Sequence, residues 1–418
     1  MFFIYQIFIS LIVLFSPIII LVRLIKRKEH KLRFIEKFCF FTKKKSKGNL
    51  VWIHAASVGE FMSVVPIIYE LEKNKKIKTI LVTTSTLSSS KIFQNFKFKK
   101  TIHQFFPIDQ FYFTSKFINY WKPKISIFID SEIWPCMYKE LTKKTIPLFL
   151  LNARITPKSF RRWNFFNKLS KNIFENIKIA YPANTETKRF LKRLNVKKII
   201  DIGNIKFCEV KTKKGSNFSN SFLLKIKKRI IFCASSTHKG EENIIAKSHL
   251  ILKQKYKNLL TVIIPRHINR VNEIYNNLKY LKLNTIIRTS NKNIDKNTDV
   301  YLVDTYGETK KFFDVSKIAF IGGSLIKHGG QNPIEPAKYG LKILHGPNVH
   351  NFNDIYKEFN KKKIAYKIKN LNQLINTSSK LLVAKKSNSI SIKKLGDSIL
   401  KKSVNEINKR FINEIKKT

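Results

Sequence analysis

The chain has 418 residues, which is longer than most single domains and predicts two of them. Hydrophobic residues make up 43% of the chain, so its composition excludes disorder throughout. The formal net charge of +54 favours anionic partners, but it does not choose between nucleic acid, anionic lipid and phosphorylated glycolipid. Basic residues are spread along the whole chain, as an AT-rich genome would also produce, so charge alone assigns no partner.

The N-terminal segment predicts a membrane anchor. Residues 2–22 contain no charged side chain, and a helix needs ~20 apolar residues to cross a bilayer. A cleaved signal peptide has its basic residues first, so a retained anchor is favoured. Pro17 would kink such a helix, and both a spanning and a shallow monotopic form stay open. Basic residues follow the apolar run and place the rest of the chain in the cytoplasm, namely Arg23, Lys26, Arg27, Lys28, Lys31 and Arg33.

Short apolar runs separated by helix-length segments predict parallel sheets that are covered on both faces. A first series of strands is predicted at residues 50–54, 79–84, 125–129, 147–151 and 179–182. A second series is predicted at residues 229–234, 260–264, 300–303, 318–322 and 342–346. The four cysteines lie far apart without a CxxC pair, so the sequence predicts neither a disulfide scaffold nor a zinc site.

The polar stretch at residues 211–220 separates the two series of strands and is predicted to be a linker. We therefore expect an anchor at residues 1–24 and two doubly wound α/β domains at 25–210 and 211–418, facing each other across a cleft. The Lys-rich tail from residue 390 is predicted to be a helix, which is assigned to the second domain and is expected to pack back across the domains. In such folds, ligands bind outside the carboxyl ends of the strands.

The first strand runs into a segment of small residues that ends in a carboxylate. Residues 54–60 read HAASVGE, in which Gly59 allows a ligand to approach the backbone and Glu60 opens the following helix. Glu60 is either an acid that caps the helix or a general base for a substrate hydroxyl. On this segment alone, the capping role is favoured.

Several segments of the second half each follow a predicted strand, namely IPRH (264–267), DTYGE (304–308) and FIGGSL (320–325). The Gly-rich turn of FIGGSL suits a phosphate held by backbone N–H groups. The segment GGQNPIEP (329–336) then opens a helix whose carboxylate, Glu335, could hold ribose hydroxyls. Each segment alone is an ordinary strand-to-helix turn, but their succession indicates a binding site.

Together, these segments closely resemble the 3-deoxy-D-manno-octulosonic acid (Kdo) transferases of lipopolysaccharide synthesis, which form glycosyltransferase family 30. The resemblance spans nearly the whole chain and keeps the order of the family's motifs. The segments that carry it are HAASVGE, TTSTLSS (83–89), FPID (106–109), SEIWP (131–135), LLNARIT (150–156), GNIKF (203–207), ASSTHKGEE (234–242), IPRH, DTYGE, GGSL, GGQNPIEPA and GPNVHNFNDI (346–355).

The resemblance implies a GT-B glycosyltransferase that uses CMP-Kdo as donor and the lipid A precursor lipid IVA as acceptor, with inversion at the anomeric carbon. It also implies an acceptor-binding first domain, a donor-binding second domain and an anionic inner-membrane surface as partner. It implies no cofactor, no metal ion and no nucleic acid.

The resemblance assigns Glu60 as the base, which reverses the preference for capping, and it assigns Glu132 and Lys206 to stabilisation of the transition state. Ser236, Thr237, Gly322 and Gly323 are predicted to lie near a phosphate. The residues that match the family's CMP-binding segments are Pro265, Arg266, Tyr306, Gly307, Glu308, Asn332, Pro333, Ile334 and Glu335.

Three positions depart from the family pattern. Gln331 stands for a usual His, Cys208 for a common Asp and Tyr306 for a frequent Met, which bears on turnover and donor contacts. The nearest alternative is another GT-B enzyme that uses a different nucleotide sugar. A membrane-tethered nucleic-acid-binding protein and a catalytically inactive scaffold are further alternatives. No nucleic-acid-binding module is apparent, and Glu60, Lys206 and Arg266 are all present.

Overall fold

Apolar strands that alternate with helices build two parallel sheets in the computed structural model of the chain, which describes residues 2–208, 218–290, 293–384 and 389–417. One compact unit comprises Met1–Lys211 with Leu395–Thr418, and the other comprises Thr212–Lys394. The prediction of two parallel-sheet α/β domains is confirmed. Most of the predicted linker, residues 211–217, lies outside the described residues.

The first sheet has the strand order β3-β2-β1-β4-β5-β6, which is typical of a Rossmann-like domain. Every residue of β1 and β4 is buried, because strands covered on both faces have no solvent side. The strand order reverses between β1 and β4, so the loops after these two strands meet at one point of the carboxyl edge. The strands are β1 (Leu50–His54), β2 (Thr79–Thr84), β3 (Thr101–Phe105), β4 (Ile125–Ile129), β5 (Leu148–Ala153) and β6 (Ile177–Pro182).

Capping side chains define where many helices of the first unit begin. Ser57, Thr86, Thr156 and Asn184 each accept a hydrogen bond from the backbone N–H three residues on. The helices that follow the N-terminal apolar segment are α3 (Val58–Glu72), α4 (Leu87–Phe93), α5 (Phe111–Trp121), α6 (Pro135–Lys143), α7 (Pro157–Phe165), α8 (Asn167–Phe174) and α9 (Thr185–Arg193).

The second sheet has the order β13-β12-β11-β7-β8-β10-β9, and neighbouring strands again pair in parallel. Here the order reverses between β7 and β11. The strands are β7 (Ile230–Thr237), β8 (Leu259–Pro265), β9 (Thr285–Ile287), β10 (Val300–Leu302), β11 (Ile318–Ile321), β12 (Lys342–His345) and β13 (Ala365–Lys367). The helices of this unit are α10 (Asn220–Ile226), α11 (Glu241–Lys255), α12 (Val271–Tyr280), α13 (Thr309–Val315), α14 (Ile334–Lys338), α15 (Asn353–Lys361) and α16 (Leu371–Leu382).

The N-terminal apolar segment forms two helices, α1 (Phe2–Leu14) and α2 (Ser16–Ile25), where the sequence predicts one continuous run. They meet at 56°, and Pro17 stands in the first turn of α2, where its ring is compatible with a helix start. Within the described ranges, no single helix has the length and apolarity to cross a membrane, whereas the bent pair meets both criteria together. The Tyr5 hydroxyl donates a 2.7 Å hydrogen bond to Oδ2 of Asp109, which ties α1 to the first unit.

The C-terminal helix α17 (Ser389–Lys416) groups with the first unit from Leu395 onward, whereas the sequence analysis assigns the tail to the second domain. Ile407 and Phe411 are buried, which anchors the helix through apolar burial. Asn74 also donates a 2.8 Å hydrogen bond to Asn408, and Tyr181 donates one of 3.3 Å to Glu406. These contacts are the physical reason for the different grouping.

Gly396→Ala is expected to lower the free energy of unfolding by about 1–3 kcal/mol. An added Cβ would lie 2.4 Å from the main-chain carbonyl oxygen of Phe207, and backbone cannot move aside cheaply. In a helix interior, Gly to Ala otherwise stabilises by about 1 kcal/mol, so the predicted sign is unusual. Thermal unfolding of the full-length protein in detergent measures the effect. The matched control is Gly59→Ala, which has no neighbouring atom within 4 Å. Equal stability of the two variants would contradict this packing.

Candidate active site

Glu60 lies in the first turn of α3, at the point where β1 leads into the helix. Its Oε2 accepts a 2.8 Å hydrogen bond from the Ala56 N–H, and its Oε1 accepts one of 2.8 Å from the Ser57 hydroxyl. Ser57 Oγ in turn accepts from the Glu60 N–H at 3.3 Å. This reciprocal pattern is close to a capping box, so the carboxylate of Glu60 does cap the helix. The same contacts fix the orientation of the carboxylate.

Glu132 follows β4, the neighbour of β1, and is held by aromatic and imidazole side chains. The indole N–H of Trp134 donates a 2.9 Å hydrogen bond to Oε2 of Glu132, and Nε2 of His54 lies 3.3 Å from the same oxygen. His54 is fully buried, with Nδ1 2.9 Å from the Thr83 hydroxyl. The position of the Glu132 carboxylate is therefore determined by the ends of three adjacent strands.

Lys206 lies in a short 3-10 turn, Ile205–Phe207, and its ammonium forms a 3.1 Å ion pair with Oδ2 of Asp130. Asp130 is the first residue after β4 and has a left-handed backbone (φ 56°). Its Oδ1 accepts a short hydrogen bond from the Asn152 side chain, whose own oxygen accepts from the Ile205 N–H at 3.0 Å. Asp130 and Asn152 thus hold the turn that carries Lys206.

Burial, and after it the carboxylates of Glu132 and Asp130, raise the pKa of Glu60 to about 7. Hydrogen bonds from Ser57 and Ala56 act in the opposite direction but do not cancel the rise. A carboxyl group with a pKa near neutrality can take up a proton at physiological pH. The arrangement is therefore capable of general base chemistry, while Glu60 keeps its capping contacts.

The structure brings Glu60 and Glu132 together, and it links Lys206 to them through Asp130. From the sequence alone, neither His54 nor Asp130 is predicted to have a role. One signal in the sequence marks both residues, because His54 ends β1 and Asp130 directly follows β4. Polar residues at the carboxyl ends of the two strands where the order reverses are expected to line a site.

In the second unit, the predicted CMP-binding segments follow β8, β10 and β11 at the carboxyl edge of the sheet. Pro265 is buried at the end of β8 and the next residue, Arg266, is exposed. Lys310 Nζ lies 3.4 Å from Oε1 of Glu335, which links α13 to α14. The predicted segments therefore share one edge, and an ion pair joins the helix that follows DTYGE to the NPIE segment.

The side chain of Glu308 already has strong partners in this structure. The Arg288 guanidinium donates to both carboxylate oxygens, at 3.0 and 3.2 Å, and Thr305 and Lys311 also donate to them. Burial alone would raise the pKa of Glu308, but the hydrogen bonds from Arg288 and Thr305 lower it to about 2. Glu308 is thus an ionised group that orders its loop. The neighbouring Tyr306 is 70% exposed, and Gly307 has a left-handed φ of 83°.

The NPIE segment builds its own turn. Oδ1 of Asn332 accepts a 3.0 Å hydrogen bond from the Ile334 N–H, and the side chains of Pro333 and Ile334 are buried. Asn332 itself is exposed. The buried pair supports the turn, so Asn332 and Glu335 are the members whose side chains remain partly accessible.

The prediction that backbone N–H groups of the Gly-rich turn hold a phosphate is wrong, because a carboxylate of the same unit accepts hydrogen bonds from them. That Ser236, Thr237, Gly322 and Gly323 lie near a phosphate stays a prediction. Glu241 is fully buried and accepts hydrogen bonds from the N–H groups of Gly323, Ser324 and Leu325 at 2.7, 3.0 and 2.9 Å. The Gly322 N–H donates instead to the Ser235 carbonyl at 2.9 Å. The N–H groups that are predicted from the sequence to bind a phosphate therefore donate to Glu241 or to the backbone instead.

Glu241→Gln is expected to destabilise the second unit by at least about 2 kcal/mol. Each carboxylate oxygen of Glu241 accepts two backbone N–H groups, and an amide nitrogen in place of one oxygen leaves two buried donors unsatisfied. Thermal unfolding, with hydrogen exchange of residues 318–325, measures the loss. The matched control is Glu273→Gln, at a more exposed carboxylate of the same unit. Unchanged protection in the Glu241 variant would contradict the contacts described.

Comparison with known proteins agrees with the sequence analysis. Residues 32–209 match the family model described as 3-Deoxy-D-manno-octulosonic-acid transferase (kdotransferase). The chain is 36% identical over 349 residues to the 3-deoxy-D-manno-octulosonic acid transferase of Rickettsia prowazekii, covering 82% of this chain and 74% of the relative. It is 33% identical over 350 residues to the enzyme of that name from Haemophilus influenzae, covering 80% of this chain and 79% of the relative.

Solved structures with low sequence identity share the fold. The UDP-GlcNAc 2-epimerase from Neisseria meningitidis superposes with a TM-score of 0.57 at 12% identity, covering 87% of this chain and all of the epimerase. A UDP-glucosyltransferase from Polygonum tinctorium superposes with a TM-score of 0.55 at 9% identity, covering 88% and 99%. These likenesses confirm the two-domain GT-B architecture. The chain belongs to the 3-deoxy-D-manno-octulosonic acid (Kdo) transferase family of glycosyltransferases.

Proposed function

We propose that the protein transfers Kdo from CMP-Kdo to the lipid A precursor lipid IVA, with inversion at the anomeric carbon, in lipopolysaccharide synthesis. Family membership supports the transferred sugar. The observation that carries the proposal is the Glu60 carboxylate, which has a pKa of about 7 beside Glu132 at the carboxyl edge of the first sheet. A base of this kind suits deprotonation of a sugar hydroxyl on the acceptor.

In the proposed reaction, a hydroxyl oxygen of the acceptor attacks the anomeric carbon of Kdo from the face opposite CMP. The bond from that carbon to the phosphate oxygen breaks, and CMP departs with the electron pair. Glu60 takes the hydroxyl proton, so that charge is balanced without a metal ion. The contacts with Ala56 and Ser57 leave each carboxylate oxygen a further lone pair for this proton.

Lys206 and Glu132 are proposed to stabilise the charges that develop in the transition state. Lys206 is held by Asp130, and Glu132 is held by Trp134 beside His54, so neither group needs to reorganise during the reaction. In the second unit, Arg266, Asn332 and Glu335 are proposed to contact CMP through their side chains. Pro265, Tyr306, Gly307, Glu308, Pro333 and Ile334 are proposed to shape the same subsite.

The first unit is proposed to bind the acceptor, and its N-terminal helices are proposed to attach it to the anionic cytoplasmic face of the inner membrane. Phe8, Leu14 and Ile18 are more than half exposed, as expected of residues that meet lipid. Exposed aromatic rings lie near ammonium groups, with Lys116 over Phe40 at 5.1 Å. Lysine and aromatic residues are the pair that membrane interfaces favour. These surfaces would bring the enzyme to a glycolipid acceptor.

Glu60→Gln is expected to reduce Kdo transfer at least about 1,000-fold, because an amide cannot accept the hydroxyl proton. The assay combines purified protein, CMP-Kdo generated in situ and a tetra-acylated lipid A precursor, with products identified by mass. Glu70→Gln is the matched control, since it removes a carboxylate of the same helix that pairs only with nearby surface Lys73 in the contacts described. Full activity of the Glu60 variant would return Glu60 to a capping role alone. Transfer from another nucleotide sugar, without transfer from CMP-Kdo, would overturn the donor assignment.

A further inference from the structure

Three histidines meet at the point where the strand order of the second sheet reverses. His238 follows β7, His267 follows β8, and His328 lies in the turn after β11. The rings of His238 and His328 are 4.1 Å apart between centroids, and those of His238 and His267 are 5.8 Å apart. In doubly wound sheets, ligands bind at this reversal. The histidines therefore occupy the expected ligand position of this unit.

The backbone at this reversal cannot hold an anion in the usual way. The N–H groups of Gly323, Ser324 and Leu325 all donate to Glu241, as described above. The His238 N–H also donates to Glu241, at 3.0 Å. Since these main-chain donors are already used, an anionic ligand here has to be held largely by side chains.

His238 has a buried ring nitrogen whose hydrogen-bonding capacity is unused in the described part of the chain. The residue is only 7% exposed, and its Nε2 has no hydrogen-bond partner within the described part of the chain. The hydroxyl of the adjacent Thr237, which is fully buried, also lacks a partner there. Buried polar atoms are rarely left unsatisfied in a native protein, because each costs about 1–3 kcal/mol. Two neighbouring ones therefore indicate a ligand.

The backbone just before His238 departs from regular strand geometry. The pairing of β7 with β8 shifts register between Ser235 and Thr237, and Ser236 at the shift has a left-handed φ of 55°. Such bulges redirect the following side chain and are common next to active sites. At Gly323, an added Cβ would lie 3.3 Å from Nε2 of His238 and 3.2 Å from the ring of His328. A glycine at this position lets the turn approach both imidazole rings closely.

The surroundings of His238 are positively charged. Burial first, and then the neighbouring His328, His267, Arg266 and Arg270, lower the pKa of His238 to about 4. The same positive field that disfavours a proton on His238 attracts an anion. Arg270 is already paired with Glu242 at 3.0 Å, so Arg266 is the nearby arginine more available to a ligand. Among the described residues, no group of three or more His, Cys, Asp or Glu side chains is arranged to hold a metal ion, which disfavours a metal site here.

We propose that His238, with His328 and Arg266 beside it, forms a phosphate subsite that holds the leaving phosphate of the nucleotide-sugar donor. The inference rests on the proposed function, since the donor assigned there is a nucleoside monophosphate sugar. A neutral imidazole donates one hydrogen bond from Nε2 to a phosphate oxygen, while the surrounding cations balance its charge. His238 is thus a further donor-binding residue for the reaction.

Calorimetric titration of the full-length protein in nonionic detergent with CMP and with cytidine tests this subsite. His238→Ala is expected to weaken CMP binding about tenfold, the effect of one lost hydrogen bond to a charged group, and to leave cytidine binding unchanged. His238→Gln keeps an N–H donor and should retain part of the affinity. His328→Ala, at an exposed residue, should weaken CMP binding about threefold.

The matched control is His249→Gln, at another buried histidine of the unit, whose ring contacts Thr261 and Asp299 away from the turn. It should not change CMP affinity. Equal losses for CMP and cytidine in the His238 variants, or no loss for either, would overturn the subsite. No CMP binding by the wild type would overturn the donor assignment and the subsite together, whereas wild-type affinity for CMP in every variant would overturn the subsite alone.

Discussion

The crowding of carboxylates at the reversal of the first sheet is the constraint on which the candidate chemistry depends. Glu60, Glu132 and Asp130 all follow β1 or β4, and the electrostatic effect of the last two is felt at Glu60. Lys206 forms an ion pair with Asp130, and Glu132 raises the pKa of Glu60 more than Asp130 does. Because Glu60 is also partly buried, its pKa is raised to about 7, which is close to physiological pH. Two effects thus act on Glu60: hydrogen bonds at the helix start fix its carboxylate, and the neighbouring Glu132 carboxylate repels its negative charge.

The two units share a topology but differ in the charge of the side chains at the reversal of strand order. Each has a parallel sheet whose strand order reverses next to its first strand, and each collects its polar side chains there. In the first unit, these side chains are mainly carboxylates, with one lysine. In the second unit, the Glu241 carboxylate at the Gly-rich turn accepts hydrogen bonds from backbone N–H groups. The other polar side chains there are imidazoles and the guanidinium of Arg266. The side chains at the reversal of the first sheet suit a general base, and those at the reversal of the second sheet suit the binding of an anion.

The sequence predicts the strands well where burial is uniform. The strands at residues 50–54, 79–84 and 125–129 have the predicted bounds, because an unbroken apolar run has only one compatible structure in a covered sheet. It misses β3, β9 and β13, which lie at sheet edges and are short or carry polar residues. The N-terminal segment at residues 2–22 is apolar throughout, so hydropathy alone does not reveal the break between α1 and α2 near Pro17.

Individual residues of the candidate site can be predicted from the sequence only where their role depends on neighbouring residues of the same short segment. Glu60 can be placed at the start of a helix from HAASVGE alone. The pairing of Lys206 with Asp130 and the filling of the Gly323 turn by Glu241 join residues that are more than 70 positions apart. A motif identifies the donor groups of a turn but not the partner that the fold brings to them. For this reason, the prediction that backbone N–H groups of the Gly-rich turn hold a phosphate fails, while the prediction for the end of β1 stays consistent with the structure.

The pH dependence of kcat/KM for Kdo transfer, compared between the wild type and Glu132→Gln, tests whether Glu60 is a general base whose pKa is raised by the Glu132 carboxylate. A general base works as the carboxylate, so activity should fall about tenfold per pH unit below the pKa of Glu60 near 7. Loss of the Glu132 charge lowers that pKa, so the acid limb should move to lower pH whatever happens to the maximal rate. An acid limb at the same pH in both proteins, or one near the ordinary pKa of glutamate in the wild type, would contradict the account.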